Sequence, residues 1–369
     1  NGGRKQTTLL GYNRATDNSR STGSTIKPVI DYGPAIEYLN YSTGQTIMDQ
    51  RTTYSNGVEL NNWDFSHKGA MTLRTALVYS RNTTALQTFK AVGETNIKSF
   101  LNNLDIQIKN DGQDYLVESN SIGADISPIK MAAAYATFGN YGTYSKPYTV
   151  TKVTTRDGQV TEFKPEQKQA MKDSTAYMIT DVLKDSFKYG FATQAAIPGL
   201  PTAAKTGSSN YTIEQKRAMG ASDYEDIIPD SWFIGYSPDY TISVWTGYDR
   251  PQDANGWIPQ LYKGHEELFK RIMIHINAGK DTSDWQKPDT VRQQGNDYYP
   301  TDVKVERYYI PGIEAFKIPN FVENFTNKIL DNIKDGGIKE YKLPDDYKEQ
   351  EQWRCNVASL VFWNCMRLC

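Results

Sequence analysis

Apolar residues Ile26, Val29, Ile30, Ala35, Ile36 and Leu39 recur at helical spacing, which predicts a buried helix opening near Ser24 with an irregularity at Gly33-Pro34. Residues 42–69 are rich in Thr, Asn, Gly and Tyr without a sustained period and read as loops with short strands. Helical spacing resumes over residues 71–79, 84–92 and 95–104, the first two separated by the polar step Ser80-Arg81-Asn82. Further helices are predicted over 128–138, with Ser127 as cap and Pro128 in the first turn, and over 175–187. Residues 143–163 alternate like a pair of strands around Asp157-Gly158. Residues 232–236 and 241–248 read as a hairpin across Ser237-Pro238-Asp239, with 202–209 pairing beside it. Helices before and after a mostly antiparallel sheet, closed by a helix over 265–276, imply an α+β domain.

The character changes beyond Asn277. Residues 279–354 are charged and punctuated by Pro288, Pro300, Pro311, Pro319 and Pro344, with one amphipathic helix near 323–334, and read as a polar extension. Cysteine is absent until Cys355, Cys365 and Cys369, which excludes a disulfide framework for the body and makes residues 355–369 read as a tail foreign to it. The 369-residue chain thus divides into a domain over 1–278, the extension and the tail.

Charge removes several function classes. Lys and Arg total 41 against 43 Asp and Glu, so no long-range field gathers nucleic acid or anionic lipid. No stretch approaches the roughly 18 apolar residues of a membrane span, and Asn1-Gly2-Gly3-Arg4 lacks a signal-peptide layout, so any anchor of the parent protein is expected outside this chain. His67, His265 and His275 are scattered without metal-ligand spacing, and neither metal nor cofactor is expected.

Three short motifs carry the chemistry, in this order: Ser24-Thr25-Ile26-Lys27, Ser80-Arg81-Asn82 and Lys205-Thr206-Gly207. Helical spacing of i and i+3 sets the Lys27 amine near the Ser24 hydroxyl. To act as a base Lys27 must be neutral, which burial and a second cation, Lys205, both favour. Ser80 and Asn82 would relay a proton to a leaving amine and orient a substrate amide. Lys205-Thr206-Gly207 would lie on an edge strand open to an extended peptide, with Thr206 and Lys205 binding a terminal carboxylate and Gly207 allowing close approach. The backbone N–H groups of Ser24 and Ser208 would hold the oxyanion. Ser127-Pro128-Ile129-Lys130 repeats the first pattern but is followed by no Ser-x-Asn before Lys205, and Ser127 reads as a helix cap. Asp230-Ser231-Trp232 precedes the hairpin, where Trp232 either walls the cleft or packs in the core.

These residues, with Gly2-Gly3-Arg4, Asn13-Arg14-Ala15-Thr16, Pro28, Ser208 and Trp245-Thr246-Gly247, make residues 2–278 resemble the transpeptidase domain of a class A penicillin-binding protein of the Gram-positive type. The resemblance implies the penicillin-binding-protein and serine β-lactamase-like fold, an antiparallel sheet flanked by helices with a helical subdomain. It implies that Ser24 is acylated by the penultimate D-Ala of a peptidoglycan stem peptide, that the acyl group passes to an amine on a neighbouring stem, and that β-lactams acylate the same serine. Other cell-wall synthesis proteins are implied as partners, and the outer face of the bacterial cytoplasmic membrane as location. Such chains carry an anchor and a glycosyltransferase domain upstream, and their transpeptidase sheet begins before Gly-Gly-Arg, so the given chain is expected to start inside the domain. Rival readings are a D,D-carboxypeptidase, a serine β-lactamase, whose Glu motif is matched only by Glu37-Tyr38-Leu39-Asn40 before Ser80, and a non-catalytic binding protein of the same fold.

Overall fold

The segment carrying Ser24 is built from turns of three different pitches in the computed structural model, which describes residues 11–223, 225–250 and 256–302. A 3-10 turn at Gly23–Ile26 leads through a wide π turn at Pro28–Tyr32 into helix α1 (Gly33–Leu39). The irregularity thus lies upstream of the expected Gly33-Pro34. Pro28 and Pro34 lack an N–H, so no regular ladder runs past them, and the Gly33 N–H reaches back to the Pro28 carbonyl. Ile26, Val29, Ile30, Tyr32 and Ala35 have no exposed surface, which makes this the central element of the core.

Around it pack α2 (Leu73–Val78), α3 (Asn82–Val92), α4 (Glu94–Asn103) and α6 (Asp173–Lys184), with α5 (Pro128–Gly139) between α6 and the sheet. Helix α7 (Ile213–Ala218) buries none of its residues, and α8 (Gly264–Ile276) packs on the sheet. Helix α2 starts later than its apolar spacing suggests, because Gly69–Thr72 pairs as a strand with Thr46–Asp49. The Thr72 hydroxyl then caps α2 by accepting from the Thr75 N–H. Ser127 does occupy the N-cap position of α5, although its side chain makes no capping bond.

The sheet consists of β1 (Ala203–Ser208), β2 (Asp230–Tyr236) and β3 (Thr241–Gly247), antiparallel in that order. The Ser237 N–H donates to the Tyr240 carbonyl at 2.8 Å and closes the β2–β3 hairpin at the expected turn. Strand β2 is buried along its whole length and divides its side chains by the two-residue period. Trp232, Ile234 and Tyr236 enter the main core, whereas Phe233 joins Val244 and, on α8, Phe269 and Met273 in a second, smaller one. Among the described residues β1 pairs only with β2, so it is an edge strand.

Two expectations change. Residues 143–163 form parts of two ribbons: Lys152–Thr154 pairs with Val160–Glu162 around Asp157-Gly158, while Thr143–Ser145 pairs with Gln167–Gln169. The polar extension expected from residue 279 begins as part of the packed body. Trp285 donates its indole N–H to the Gly139 carbonyl at 2.8 Å, Val291 is buried, and the hairpin Val291–Gln294 with Asp297–Pro300 sets Tyr298 edge-on to Tyr177. Charge and proline density set the expected boundary, but isolated apolar anchors have no period to read. The helix expected near 323–334, the cysteine tail and Gly2-Gly3-Arg4 lie outside the described residues.

Candidate active site

Glycines bring the turn carrying Ser24 against the end of β1. Gly23 has φ of 50°, and a Cβ there would sit 2.2 Å from the Ser208 carbonyl oxygen. A Cβ on Gly207 would fall 2.5 Å from the Thr22 carbonyl oxygen and 2.8 Å from the Thr25 nitrogen. Backbone therefore meets backbone with no room for a side chain, and Ser24, half-buried, follows Gly23 in that turn.

Lys27 is fully buried, and its amine is committed to the facing loop. Nζ lies 2.7 Å from the Ser80 carbonyl oxygen, 2.7 Å from Asn82 Oδ1, 3.3 Å from the Arg81 carbonyl oxygen and 3.4 Å from Ser80 Oγ. Either protonation state satisfies three of these four contacts: an ammonium offers three hydrogens, a neutral amine two and a lone pair that can accept the Ser80 hydroxyl proton. Burial, helped by the charge of Lys205, drives Lys27 well below the usual lysine range, while Asp31 pulls it back. Lys205, also buried, donates to Ser80 Oγ at 2.9 Å and to the Thr206 carbonyl at 3.0 Å. Burial brings its pKa down to about 7. One hydroxyl, Ser80 Oγ, thus bridges two lysines that both lean towards neutrality.

The backbone at Ser80 explains how the loop presents it. Helix α2 ends in a Schellman motif: the Arg81 N–H donates to the Ala76 carbonyl at 2.9 Å, and the Ser80 N–H to the Leu77 carbonyl at 3.1 Å. Ser80 occupies the left-handed position that glycine normally takes, with φ of 53°. A non-glycine residue there costs about 1–2 kcal/mol. The strained turn aims the Ser80 hydroxyl at both lysines.

Sequence reasoning missed the support behind this loop. Asn62 Oδ1 accepts the N–H groups of Asn82 at 2.7 Å and Thr83 at 3.3 Å, capping α3 from a distant segment. The N-cap residue itself, Arg81, has a donor-only guanidinium and cannot cap; buried, it donates instead to Asp49 and Asp64, each at 2.9 Å, and to the Ser66 carbonyl. Asp49 also takes the Thr83 hydroxyl and the Asn62 amide, at 2.7 Å for the latter. Asn82 Nδ2 donates to the Asn61 carbonyl at 2.8 Å, which leaves Oδ1 facing Lys27. The only signal in the sequence was a polar, turn-rich stretch without a period.

Thr206, Gly207 and Ser208 follow Lys205 along β1. Trp232 is wholly buried, donating its indole N–H to the Ser21 carbonyl at 2.8 Å, and so belongs to the core. An aromatic beside the loop is Trp63 instead, half exposed, whose indole donates to the Tyr79 carbonyl at 3.1 Å. Ser127 and Lys130 are not brought together as a dyad: the first sits at its helix cap and the second is exposed. His265 is buried with Nε2 3.3 Å from Ser231 Oγ, and burial lowers its pKa to about 4.

A helix-flanked antiparallel sheet with a serine and lysine turn, a Ser-x-Asn loop and a Lys-Thr-Gly edge strand defines the penicillin-binding-protein and serine β-lactamase-like fold. The chain superposes on penicillin-binding protein PonA1 from Mycobacterium tuberculosis with a TM-score of 0.65 at 21% identity, over 80% of this chain and 78% of that one. It matches penicillin-binding protein 1A from Haemophilus influenzae equally, TM-score 0.65 at 18% identity, over 81% of this chain and 50% of that one. A family model of the penicillin-binding protein transpeptidase domain matches residues 3–274, and the chain belongs to that family. It is 38% identical to penicillin-binding protein 1A/1B of Bacillus subtilis (strain 168) over 321 residues, 82% of this chain and 34% of that protein. It is 37% identical to penicillin-binding protein 1A of Streptococcus pneumoniae over 296 residues, 78% of this chain and 40% of that protein. The chain therefore spans little more than a third of the length of these relatives.

Proposed function

We propose that the chain is the D,D-transpeptidase part of a cell-wall enzyme, working through an acyl-enzyme on Ser24. The observation that carries this reading is the buried pair Lys27 and Lys205 joined through Ser80 Oγ, beside the turn that presents Ser24. Neutral Lys27 takes the Ser24 hydroxyl proton as Oγ attacks the carbonyl of the penultimate D-Ala. The tetrahedral oxyanion forms between the backbone N–H groups of Ser24 and Ser208. Its collapse breaks the C–N bond, and the departing D-Ala nitrogen receives the proton now on Lys27 through the Ser80 hydroxyl. An amine on a second stem then attacks the ester, gives its proton to the same relay, and Ser24 regains its own.

Lys205 and Thr206 bind the substrate carboxylate, Gly207 lets the peptide lie against β1, and Asn82 orients its amide. β-Lactams acylate Ser24 by the same attack, with the ring nitrogen as leaving group. Glu37, the residue a β-lactamase reading needs as a water-activating base, accepts the Lys172 N–H at 3.0 Å and the Thr175 hydroxyl at 2.6 Å, pinning α1 to α6. No helix of the described residues is long and apolar enough to cross a membrane. The proposed reaction places the protein at the outer face of the bacterial cytoplasmic membrane, in the company of other cell-wall synthesis proteins.

A labelled penicillin tests the acyl-enzyme. A covalent adduct on Ser24 that is lost in Ser24→Ala is expected, and equal labelling of both proteins overturns the assignment. Turnover of the adduct within minutes would point to a β-lactamase. A stem peptide offered with an amine acceptor should give cross-linked product; cleavage by water alone would make the protein a carboxypeptidase.

A further inference from the structure

One turn beyond Lys27, within the π turn at Pro28–Tyr32, Asp31 is as deeply buried as the lysine itself. Neither of its carboxyl oxygens has a hydrogen-bond partner among the described residues. The side chains next to it in the chain, Ile30 and Tyr32, have no exposed surface and belong to the main core. A carboxyl without a partner in such a place opposes folding, because its charged form gives up water and gains no bond in exchange. No contact of the fold accounts for an acid here.

The charge that acts on Asp31 is Lys27. Burial pushes the Asp31 carboxyl well above its usual range and Lys27 pulls it down, while Asp31 raises the Lys27 amine against burial, Lys205 and Arg81. No hydrogen bond joins the two side chains, so the influence passes through space, which a dry interior transmits far better than water. The other charged groups on the elements packed against the π turn are engaged elsewhere. Arg74 of α2 pairs with Asp181 and Asp185, Lys90 of α3 with Glu118, and Glu94 of α4 with Lys98. Glu37 of α1 is bonded to α6, and Arg81 is held by Asp49 and Asp64. The Tyr32 phenol is raised by burial and stays protonated beside the Thr84 hydroxyl, 2.9 Å away.

We propose that Asp31 is a positioning residue for the acylation step, supplying the buried negative charge that lets Lys27 accept the Ser24 proton. The inference rests on the acyl-enzyme reading and extends it. As Ser24 Oγ bonds to the substrate carbonyl, its O–H bond breaks and the proton passes to Lys27 Nζ, which becomes an ammonium sealed in the core. Lys205 and Arg81 both oppose that charge. With a carboxylate at Asp31, the transfer turns a lone buried anion into a neutral pair instead of leaving an ammonium with no counter-charge. A lysine depressed by burial alone is a weak base, and Asp31 restores part of its strength.

The test reads the pH dependence of penicillin acylation on the full chain, together with thermal melts. The acid limb of the rate lies where Lys27 becomes protonated. Removing a nearby negative charge lowers the Lys27 pKa, so the limb moves to lower pH. In Asp31→Asn and Asp31→Leu the limb should fall by about one pH unit and the plateau rate by about threefold to tenfold, as for a weaker base. Asp31→Leu, which has the branching of aspartate and leaves no polar atom behind, should also melt no lower than the wild type. Asp31→Glu keeps the charge but crowds the core, so it should melt lower and yet hold its acid limb within a few tenths of a unit of the wild type. The proposal is overturned by a limb that stays put in both neutral variants, by one that moves equally in Asp31→Glu, or by an Asp31→Leu protein that melts well below the wild type. In each of those cases normal labelling of Ser24 in the wild type leaves the acyl-enzyme reading standing, whereas absence of that labelling removes both.

Discussion

The two walls of the cleft are held in place by opposite means. On the Ser24 side the contact is backbone on backbone: Gly23 and Gly207 carry no side chain where the Ser24 turn meets β1, and an apolar helix locks the turn from behind. On the Ser80 side the loop hangs from a polar scaffold in which Asn62, Asp49, Asp64 and Arg81 satisfy one another and the first N–H groups of α3. Close packing tolerates no added atom, and a buried polar network tolerates no lost one. The two walls should therefore fail differently.

The largest effect is expected from Gly23→Ala. With the new Cβ 2.2 Å from the Ser208 carbonyl oxygen, the turn must move away from β1. A shift of about 1 Å in a reacting group costs on the order of 100-fold, read as the rate of penicillin acylation. Acylation within a few-fold of wild type would show that the glycine contact does not set the geometry.

Arg81→Met tests the other wall through stability. It leaves buried Asp49 without its cation and Asp64 with only Lys68 at 4.0 Å, and removing one partner of a buried pair costs about 3–5 kcal/mol. Thermal melts should fall by about 10 °C in a domain of this size. A melt near that of the wild type would mean the carboxylates are satisfied by other groups.

Asn62→Ala is milder, removing one amide that serves two N–H groups of α3 and the Asp49 carboxylate. About 1–3 kcal/mol of stability should go with it. Acylation should slow as well, because Asn82 then loses the cap that fixes its backbone while Lys27 loses a fixed partner. Loss of stability with unchanged acylation would make Asn62 structural only.

The contrast between the walls also governs how much the sequence disclosed. Ser24, Lys27, Ser80, Asn82, Lys205 and the hairpin of β2 and β3 were legible because their spacing along the chain is the geometry: a turn of helix, a loop between helices, a strand edge. The fold class followed from the same elements. Asn62, Asp49 and Asp64 were not legible, since they lie in a stretch without a period and acquire their roles only when 42–69 folds across Ser80-Arg81-Asn82. Trp285 and Tyr298 escaped for the same reason among the prolines beyond Asn277. The left-handed turn at Ser80 escaped too, because the usual marker of such a turn is glycine and here a serine stands in its place.

That turn yields the smallest and sharpest prediction. Ser80→Ala and Ser80→Gly both remove the hydroxyl that Lys27 and Lys205 share, so both should lose acylation to the same extent. They differ only in the backbone. Alanine keeps a Cβ at φ of 53°, whereas glycine has none to strain. Glycine should therefore be the more stable of the two inactive proteins by about 1 kcal/mol in denaturant titrations. Equal stabilities would mean that the Schellman hydrogen bonds hold the turn without strain. A glycine variant less stable than alanine would mean that the scaffold from Asn62 and Arg81 imposes this conformation strongly enough for chain entropy to outweigh it.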